Sequence, residues 1–509
     1  MATTVQRTDN DKVYGFWSKF SVDPSINSMM LNQNADQLEE SDRMAILEAL
    51  PDLTDMFVVD IGAGIGRFTT NFAPKAKHVL SVDFIESFIE QNKVRNSHFD
   101  NITFQTNDAL GFEVESESVD LMFSNWLMMY LEDSDVIQFL FKTMKALKPN
   151  AFLHLRESCT ESSTHAKKSN GTMHLGENPT HYRHASVYIQ LLQKLRWRDE
   201  RGQLWGFKIY FSNSVPTYIE AASNWRQVHW LAEKVPMQEN SGIDNPTALA
   251  LSMTRWTILQ NHIEHTLFEK QSWTDKVLGE AIEKLQLFSA NDTILTYSPR
   301  MISPFLYVNS NLILDKSAAN VWSVELNPYA YCERLSIANS VANKRVRYSW
   351  NSNLNETLDY WRPKQAQFQG FVGTEMLIST DEDALQNLNG ILAPGSDIIF
   401  IEPALSLEDF EAKSASVIGR HFDVISITDV SETYTIGVVR RMSTRTLVQS
   451  VLERHFQFVK GQITVSNQML LERTIPIPIQ FGCLFMHELV RNCKLSCDIR
   501  LNGSMEVPS

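Results

Sequence analysis

The chain has 509 residues, enough for two to four domains with an ample core. Hydrophobic residues make up 43% and glycine and proline are modest at 20 and 17, which excludes a disordered or fibrous chain. The net charge of −14 argues against generic nucleic-acid binding, and it obliges any anionic ligand to find a locally positive pocket in a negative field.

In chain order, an aromatic segment, Tyr14-Gly15-Phe16-Trp17, comes first, followed by a polar helix near 35–50. Residues 58–68 then read Val-Val-Asp-Ile-Gly-Ala-Gly-Ile-Gly-Arg-Phe. An apolar run ends in an acid, glycines alternate, and a helical pattern begins: strand, tight turn, helix start. A second apolar run, Val79-Leu80-Ser81-Val82, ends at Asp83, where a carboxylate accepts from both hydroxyls of a ribose. No Gly-Lys-Ser/Thr follows the glycines, which excludes a Walker P-loop. The Asp-x-Gly-x-Gly-x-Gly form points to S-adenosylmethionine more than to a dinucleotide.

The series continues with a third strand over Ile102–Gln105 and then Asn107-Asp108-Ala109. There an acid suits an adenine amine and a small residue leaves room for the ring. A fourth strand, Val119–Phe123, ends at Ser124-Asn125-Trp126, and a fifth covers Ala151–Leu155. Helices near 65–76, 84–96 and 133–147 separate them, which predicts a parallel, doubly wound sheet with ligands at the carboxyl ends of its strands. Residues 160–185 are polar and read as a loop over the active site. A helix after 186 and strands at Gly206–Phe211 and Val215–Ile219 follow. The stretch 236–245 is the linker candidate, and 246–288 reads as helical.

From about 291 the alternation returns faintly: strands at Phe305–Val308, Val321–Leu326 with Glu325 in the acid position, Gly370–Ile378 with its turn, and Asp397–Glu402. Asn309-Ser310-Asn311 stands where the glycine turn is needed, and side chains there obstruct a close ligand. The expected fold is therefore α/β: a Rossmann-like class I methyltransferase domain (1–235), a linker and helical connection (236–290), and a degenerate methyltransferase-like α/β domain (291–509). Five cysteines without metal-type pairing predict free thiols in a reducing compartment. Cys493 and Cys497 have no His cluster beside them, so no metal is expected. The first residues are polar and no apolar run reaches spanning length. The expectation is a soluble cytoplasmic protein with no membrane span and no nucleic-acid partner; the oligomeric state is not legible.

Several long stretches carry a resemblance. Ser28–Asn32, Asp60–Phe68, Val82–Ile85, Phe123–Leu131 (FSNWLMMYL), Arg156-Glu157-Ser158-Cys159 and Asn178–Arg183 (NPTHYR) resemble the first half of the phosphoethanolamine N-methyltransferases of plants and nematodes. The resemblance spans about residues 10–230, and RESC with NPTHYR is more specific than the cofactor turn. The rest is similar to nematode members with an intact N-terminal domain and a degenerate partner half. The resemblance implies methylation of phosphoethanolamine to phosphomonomethylethanolamine, the first step toward phosphocholine and phosphatidylcholine, with S-adenosyl-L-methionine as donor.

Methyl transfer to an amine needs the nitrogen lone pair free, and a primary amine with a pKa of about 10 is mostly protonated at neutral pH. The phosphate end needs charge-assisted donors. Arg183, His181, Tyr182, Tyr188 and Thr180 cluster in one segment and form the candidate phosphate clamp, since arginine offers a planar fork to phosphate oxygens. By resemblance Ser158, Thr180, Tyr182, Arg183 and Tyr188 fall on substrate-binding positions, with Lys208 as an addition. Tyr14 and Tyr130 are the candidates beside the amine. Some relatives have a histidine where this chain has Tyr130, so a histidine base is absent from that position. The cofactor candidates are Asp60, Gly62, Gly64, Arg67, Asp83, Phe84, Asn107, Asp108, Ala109 and Asn125. Two alternatives stand beside this reading: a methyltransferase for another small metabolite, and a cofactor-binding scaffold.

Overall fold

The structure, a computed structural model, describes residues 8–32, 35–161, 178–238, 242–263, 278–280, 282–283, 286–299, 308–317, 319–361, 368–376, 388–403, 422–431 and 434–441. The chain divides into two units. The first takes in residues 1–266 and 324–360, the second residues 267–323 and 361–509. The expected division at 235 and 291 leaves 324–360 with the C-terminal half. In the structure that segment groups with the first unit, because its strand Val346–Trp350 pairs with a strand of the first sheet.

In the first unit, β1 (Phe57–Ile61), β2 (His78–Asp83), β3 (Ile102–Thr106), β4 (Val119–Asn125) and β5 (Leu147–Ser158) lie parallel in the order β3-β2-β1-β4-β5. β1 and β4 are buried along almost their whole length, as central parallel strands covered on both faces must be. β6 (Trp197–Arg198), β7 (Leu204–Ser214) and β8 (Gln227–Pro236) follow in the chain; β8 runs antiparallel to β5, β7 to β8, and β6 to β7. Helices α1 (Thr8–Trp17), α2 (Ile26–Met29), α3 (Ala35–Glu48), α4 (Thr69–Phe72), α5 (Glu86–Arg95), α6 (Asp133–Ala146), α7 (Ala185–Lys194), α8 (Pro216–Ala222) and α9 (Pro246–Ile263) complete it. One face of β1, β2 and β4 packs Val58, Val79, Leu121 and Phe123 against Phe68 and Phe72. The register sets Ile61 beside Val82 and Ser124, so the turns after β1, β2 and β4 open at one edge of the sheet.

Three expectations change. The helix expected near 65–76 shrinks to α4, because Gly66 takes φ +82° and helical bonding starts only beyond it. Val215–Ile219 is not a strand: Pro216 opens α8, where its missing N–H costs nothing. β8 went unforeseen because Gln227, His229, Glu233 and Lys234 interrupt its apolar pattern, although Gln227, His229 and Lys234 are buried.

In the second unit, β9 (Thr293–Ser298) is followed by β10 (Asn320–Glu325), within which the boundary falls. The strand Val346–Trp350 of the first unit is β11. β12 (Phe368–Thr374) and β13 (Leu392–Pro403) lie parallel with β9 in the order β9-β12-β13. β14 (Phe422–Ser431) and β15 (Tyr434–Arg441) then add antiparallel, β15 beside β13. This repeats β1-β4-β5-β8-β7 strand for strand, so the second unit has a methyltransferase-like sheet. Its first described strand is β9; of the expected strand Phe305–Val308, residues 305–307 lie outside the described residues. Between β9 and a helix, Ser310–Ser317, the sequence of residues 299–309 holds no glycine. Among the described residues Cys159 and Cys332 are buried and in no disulfide; Cys493 and Cys497 lie outside them. No described helix is long and apolar enough to cross a membrane.

Candidate active site

At the carboxyl edge of β1, β2 and β4 a cavity of about 430 Å³ opens. Every cofactor candidate lines it: Asp60, Gly62, Gly64, Arg67, Asp83, Phe84, Asn107, Asp108, Ala109 and Asn125. Gly64 sits there at φ +54°, and a Cβ on it would come within 3.0 Å of Met29 Sδ, so only glycine leaves the wall open. Gly66 does a different job: a Cβ there would strike Asn92 Oδ1 of α5 at 2.1 Å, so its absence lets the turn pack on the helix.

Asp83 ends β2 and ties the glycine turn down. Its carboxylate accepts from Gly64 N at 2.8 Å and from Ile85 N at 2.9 Å. Burial still pushes it up to about 6, against those two hydrogen bonds. Asp60 accepts from Thr69 Oγ1 at 2.6 Å, and burial pushes it up to about 7. Asp108 Oδ1 accepts from Leu110 N at 2.8 Å and Gly111 N at 2.6 Å, so it shapes its own turn, beside Ala109. Arg67 Nη2 meets Asp42 at 2.5 Å and its Nε meets Glu39 at 3.2 Å. Among the described residues it is the cation on the cavity wall, alongside Asp11, Asp60, Asp83 and Asp108. The wall is acidic and aromatic, which suits a cationic ligand.

A turn of six residues closes the far side. Trp126 takes φ +58°, and Met128–Tyr130 form a single 3₁₀ turn. Two buried charges hold it from opposite ends. Glu157 accepts from Leu127 N and Met128 N on one oxygen (3.1 and 2.8 Å) and from Met129 N on the other (3.2 Å). Burial pushes Glu157 up to about 7 despite these donors. Arg183 donates to Met128 O at 2.8 Å, to Leu131 O at 2.6 Å and to Asp133 at 2.8 Å. Trp126 gives its indole N–H to Gln227 at 2.8 Å, and the buried Arg156 guanidinium lies 3.4 Å from its ring. Arg156 in turn meets Asp42 at 3.1 Å.

Tyr130 and Tyr14 both line the cavity, as do Ser158 and Tyr182. Tyr130 is buried and packs edge-on against Trp17 at 5.4 Å; Tyr14 is 52% exposed and meets Phe84 edge-on. Burial holds the Tyr130 phenol far above its ordinary range, so it stays protonated. Ser158 Oγ accepts from Gln227 Nε2 at 2.9 Å.

The remaining substrate candidates lie off the wall. Arg183, the candidate phosphate clamp, donates to the 126–131 turn and to Asp133 and is not among the residues lining the cavity. Thr180 bonds back to Asn178 O at 2.8 Å, and His181 is exposed with its N–H on Met129 O. Tyr188 is buried on α7 against Trp230. Lys208 lies on β7, opposite Glu233 and beside Tyr210. In their place the structure brings Asn178, Asn224, Gln227 and Tyr218 to the wall. Asn178 stood within the NPTHYR segment; the others sit on elements whose pattern gave no signal.

Residues 58–150 match the family described as Methyltransferase domain. The Caenorhabditis elegans Phosphoethanolamine N-methyltransferase 1 is 44% identical over 421 residues, covering 82% of this chain and 88% of that protein. The Triticum aestivum Phosphoethanolamine N-methyltransferase 1 is 36% identical over 230 residues, 45% of each chain. The solved structure of Haemonchus contortus Phosphoethanolamine N-methyltransferase 1, in complex with phosphoethanolamine and S-adenosylhomocysteine, superposes with a TM-score of 0.81 at 40% identity, covering 85% of this chain and 98% of that one.

Proposed function

The chain belongs to the phosphoethanolamine N-methyltransferases, and we propose that the cavity of its first unit methylates phosphoethanolamine to phosphomonomethylethanolamine with S-adenosylmethionine as donor. The observation that carries the reading is the gathering of every cofactor candidate, with Tyr14, Tyr130, Ser158 and Tyr182, on one cavity wall.

The residues fit the donor. The wall is open at Gly64, where a Cβ would close it, and it is acidic, as a cationic sulfonium requires. Asp83 would take the ribose hydroxyls, with a buried carboxylate that gains from two new donors. Asn107, Asp108 and Ala109 would frame the adenine, and Asp60, Arg67 and Asn125 the amino-acid end. When bound, S-adenosylmethionine supplies a sulfonium methyl whose carbon bonds to the substrate nitrogen as its bond to sulfur breaks.

The chain's own residues hold the acceptor. Tyr130 is protonated, so it orients the amine by hydrogen bonding and is not the base. The ammonium proton leaves to water or to the substrate phosphate before transfer. Tyr182 and the Ser158–Gln227 pair offer neutral donors for the phosphate. Tyr14 and Trp17 of α1 line the site beside Phe84 and Tyr130.

Methyl transfer from S-adenosylmethionine to a panel of small amines tests this. Phosphoethanolamine is the expected acceptor. Preference for an amine without a phosphate would overturn the substrate, and no transfer to any amine would leave the scaffold reading.

A further inference from the structure

Two polar atoms on the cavity wall are buried, the Tyr130 hydroxyl and the Asn178 side-chain oxygen, and apart from the contact of the Asn178 amide with the Tyr130 phenol neither has a hydrogen-bond partner among the described residues. A buried polar group left unpaired is costly, so two on one ligand-sized cavity are best explained by a ligand that pairs them. They belong together. The Asn178 amide bears directly on the Tyr130 phenol. Their segments are stitched by His181 N to Met129 O at 2.6 Å, and Thr180 N closes on Asn178 O at 2.8 Å. Glu157 and Arg183 hold the Tyr130 turn from the two sides described above.

We propose that Asn178 is a specificity-determining residue that, with Tyr130, selects a primary amine by the number of its N–H groups. The inference rests on the function proposed above and deepens it. An amide oxygen only accepts. It repels a phosphate and takes an N–H, which assigns this corner to the amine end of the substrate. A neutral primary amine has two N–H groups and one lone pair. Two acceptors, Asn178 Oδ1 and Tyr130 Oη, take both N–H groups and leave the lone pair for the methyl. The monomethyl base has one N–H and orphans one acceptor; the dimethyl base has none and orphans both. Each orphaned acceptor lowers kcat/KM by about tenfold or more.

The test is the ratio of kcat/KM for phosphoethanolamine to that for its dimethyl derivative, in the full chain. Asn178→Leu keeps the side-chain volume and removes the acceptor. The ratio is expected to fall at least about tenfold, with S-adenosylmethionine Kd unchanged. Asn178→Asp keeps an acceptor and is expected to keep the ratio. Tyr130→Phe is expected to lower the ratio like Asn178→Leu, and it serves if the leucine variant does not fold. An unchanged ratio in both Asn178→Leu and Tyr130→Phe would overturn the proposal, as would a lost cofactor affinity in Asn178→Leu with the ratio intact. A wild-type chain that methylates no phosphobase would instead overturn the function on which the proposal rests.

Discussion

Asp83 shows how a single side chain sets a measurable pH dependence. Burial raises it from the ordinary 3.8 to about 6. A raised carboxyl contributes stability that is fully present below 3.8 and is lost as pH rises through about 6. Cofactor binding runs the other way, because ribose hydroxyls donate to the ionised carboxylate. S-adenosylmethionine Kd is therefore expected to fall between about pH 5 and about pH 7, and calorimetry should find that slope flattened in Asp83→Asn. Asp83→Ala is expected to cost about 1–3 kcal/mol of cofactor affinity, the scale of a lost buried hydrogen-bond partner; unchanged affinity would contradict the assignment. At this scale the sequence spoke clearly where backbone dictates chemistry. Alternating glycines and strand-end acids have few other uses, and Gly62, Gly64, Asp60 and Asp83 reached the cavity, while Gly66 lets the turn pack on α5. At Arg183 residue type announces a phosphate fork but not the contacts to the 126–131 turn that the fork makes. It was silent at Gln227, a neutral amide that takes meaning only from the Trp126 and Ser158 it touches.

The 126–131 turn is the element on which substrate geometry depends. Glu157 satisfies three consecutive N–H groups and Arg183 two carbonyls, so neither end of the turn is free to move. Glu157→Gln would turn an amide NH₂ toward one of those N–H donors. Chemical unfolding should register a loss of about 1–3 kcal/mol, whereas a neutral outcome would mean that the turn holds itself. Arg183→Ala leaves Met128 O and Leu131 O without their donor while the glycine turn stays intact. Steady-state kinetics should show a raised KM for the phosphobase with cofactor Kd nearly unchanged; a collapsed cofactor affinity with KM unaltered would contradict the bracing role. Among the elements themselves, the parallel strands were legible because they are short apolar runs between turn signals. β8 and α8 were not. One buries polar side chains in a strand, and the other begins at a proline within a β-branched stretch.

At the scale of the whole chain, two sheets share one strand order but only the first has the glycine turn. Calorimetry is expected to find one S-adenosylmethionine per chain, and Asp83→Ala to weaken that site without uncovering a second. Two equivalent sites would mean that the second unit retains the cofactor function. The segment 324–360 belongs to the first unit, where Val346–Trp350 pairs with β7 and Val346 O accepts the buried Trp225 indole N–H at 3.0 Å. Cutting at 236–245 would strip these contacts away, so residues 1–235 alone are expected to be less stable than the same residues in the full chain, by thermal unfolding. The sequence revealed the repeat but not this exchange, because pairing between distant strands leaves no local signal. The most direct test of the central claim is mass spectrometry of the products that purified full-length protein makes from S-adenosylmethionine and each of phosphoethanolamine, phosphomonomethylethanolamine and phosphodimethylethanolamine. Phosphomonomethylethanolamine is expected from the first, with little turnover of the other two; phosphocholine accumulating from phosphoethanolamine, or comparable turnover of all three, would contradict a pocket selective for the primary amine.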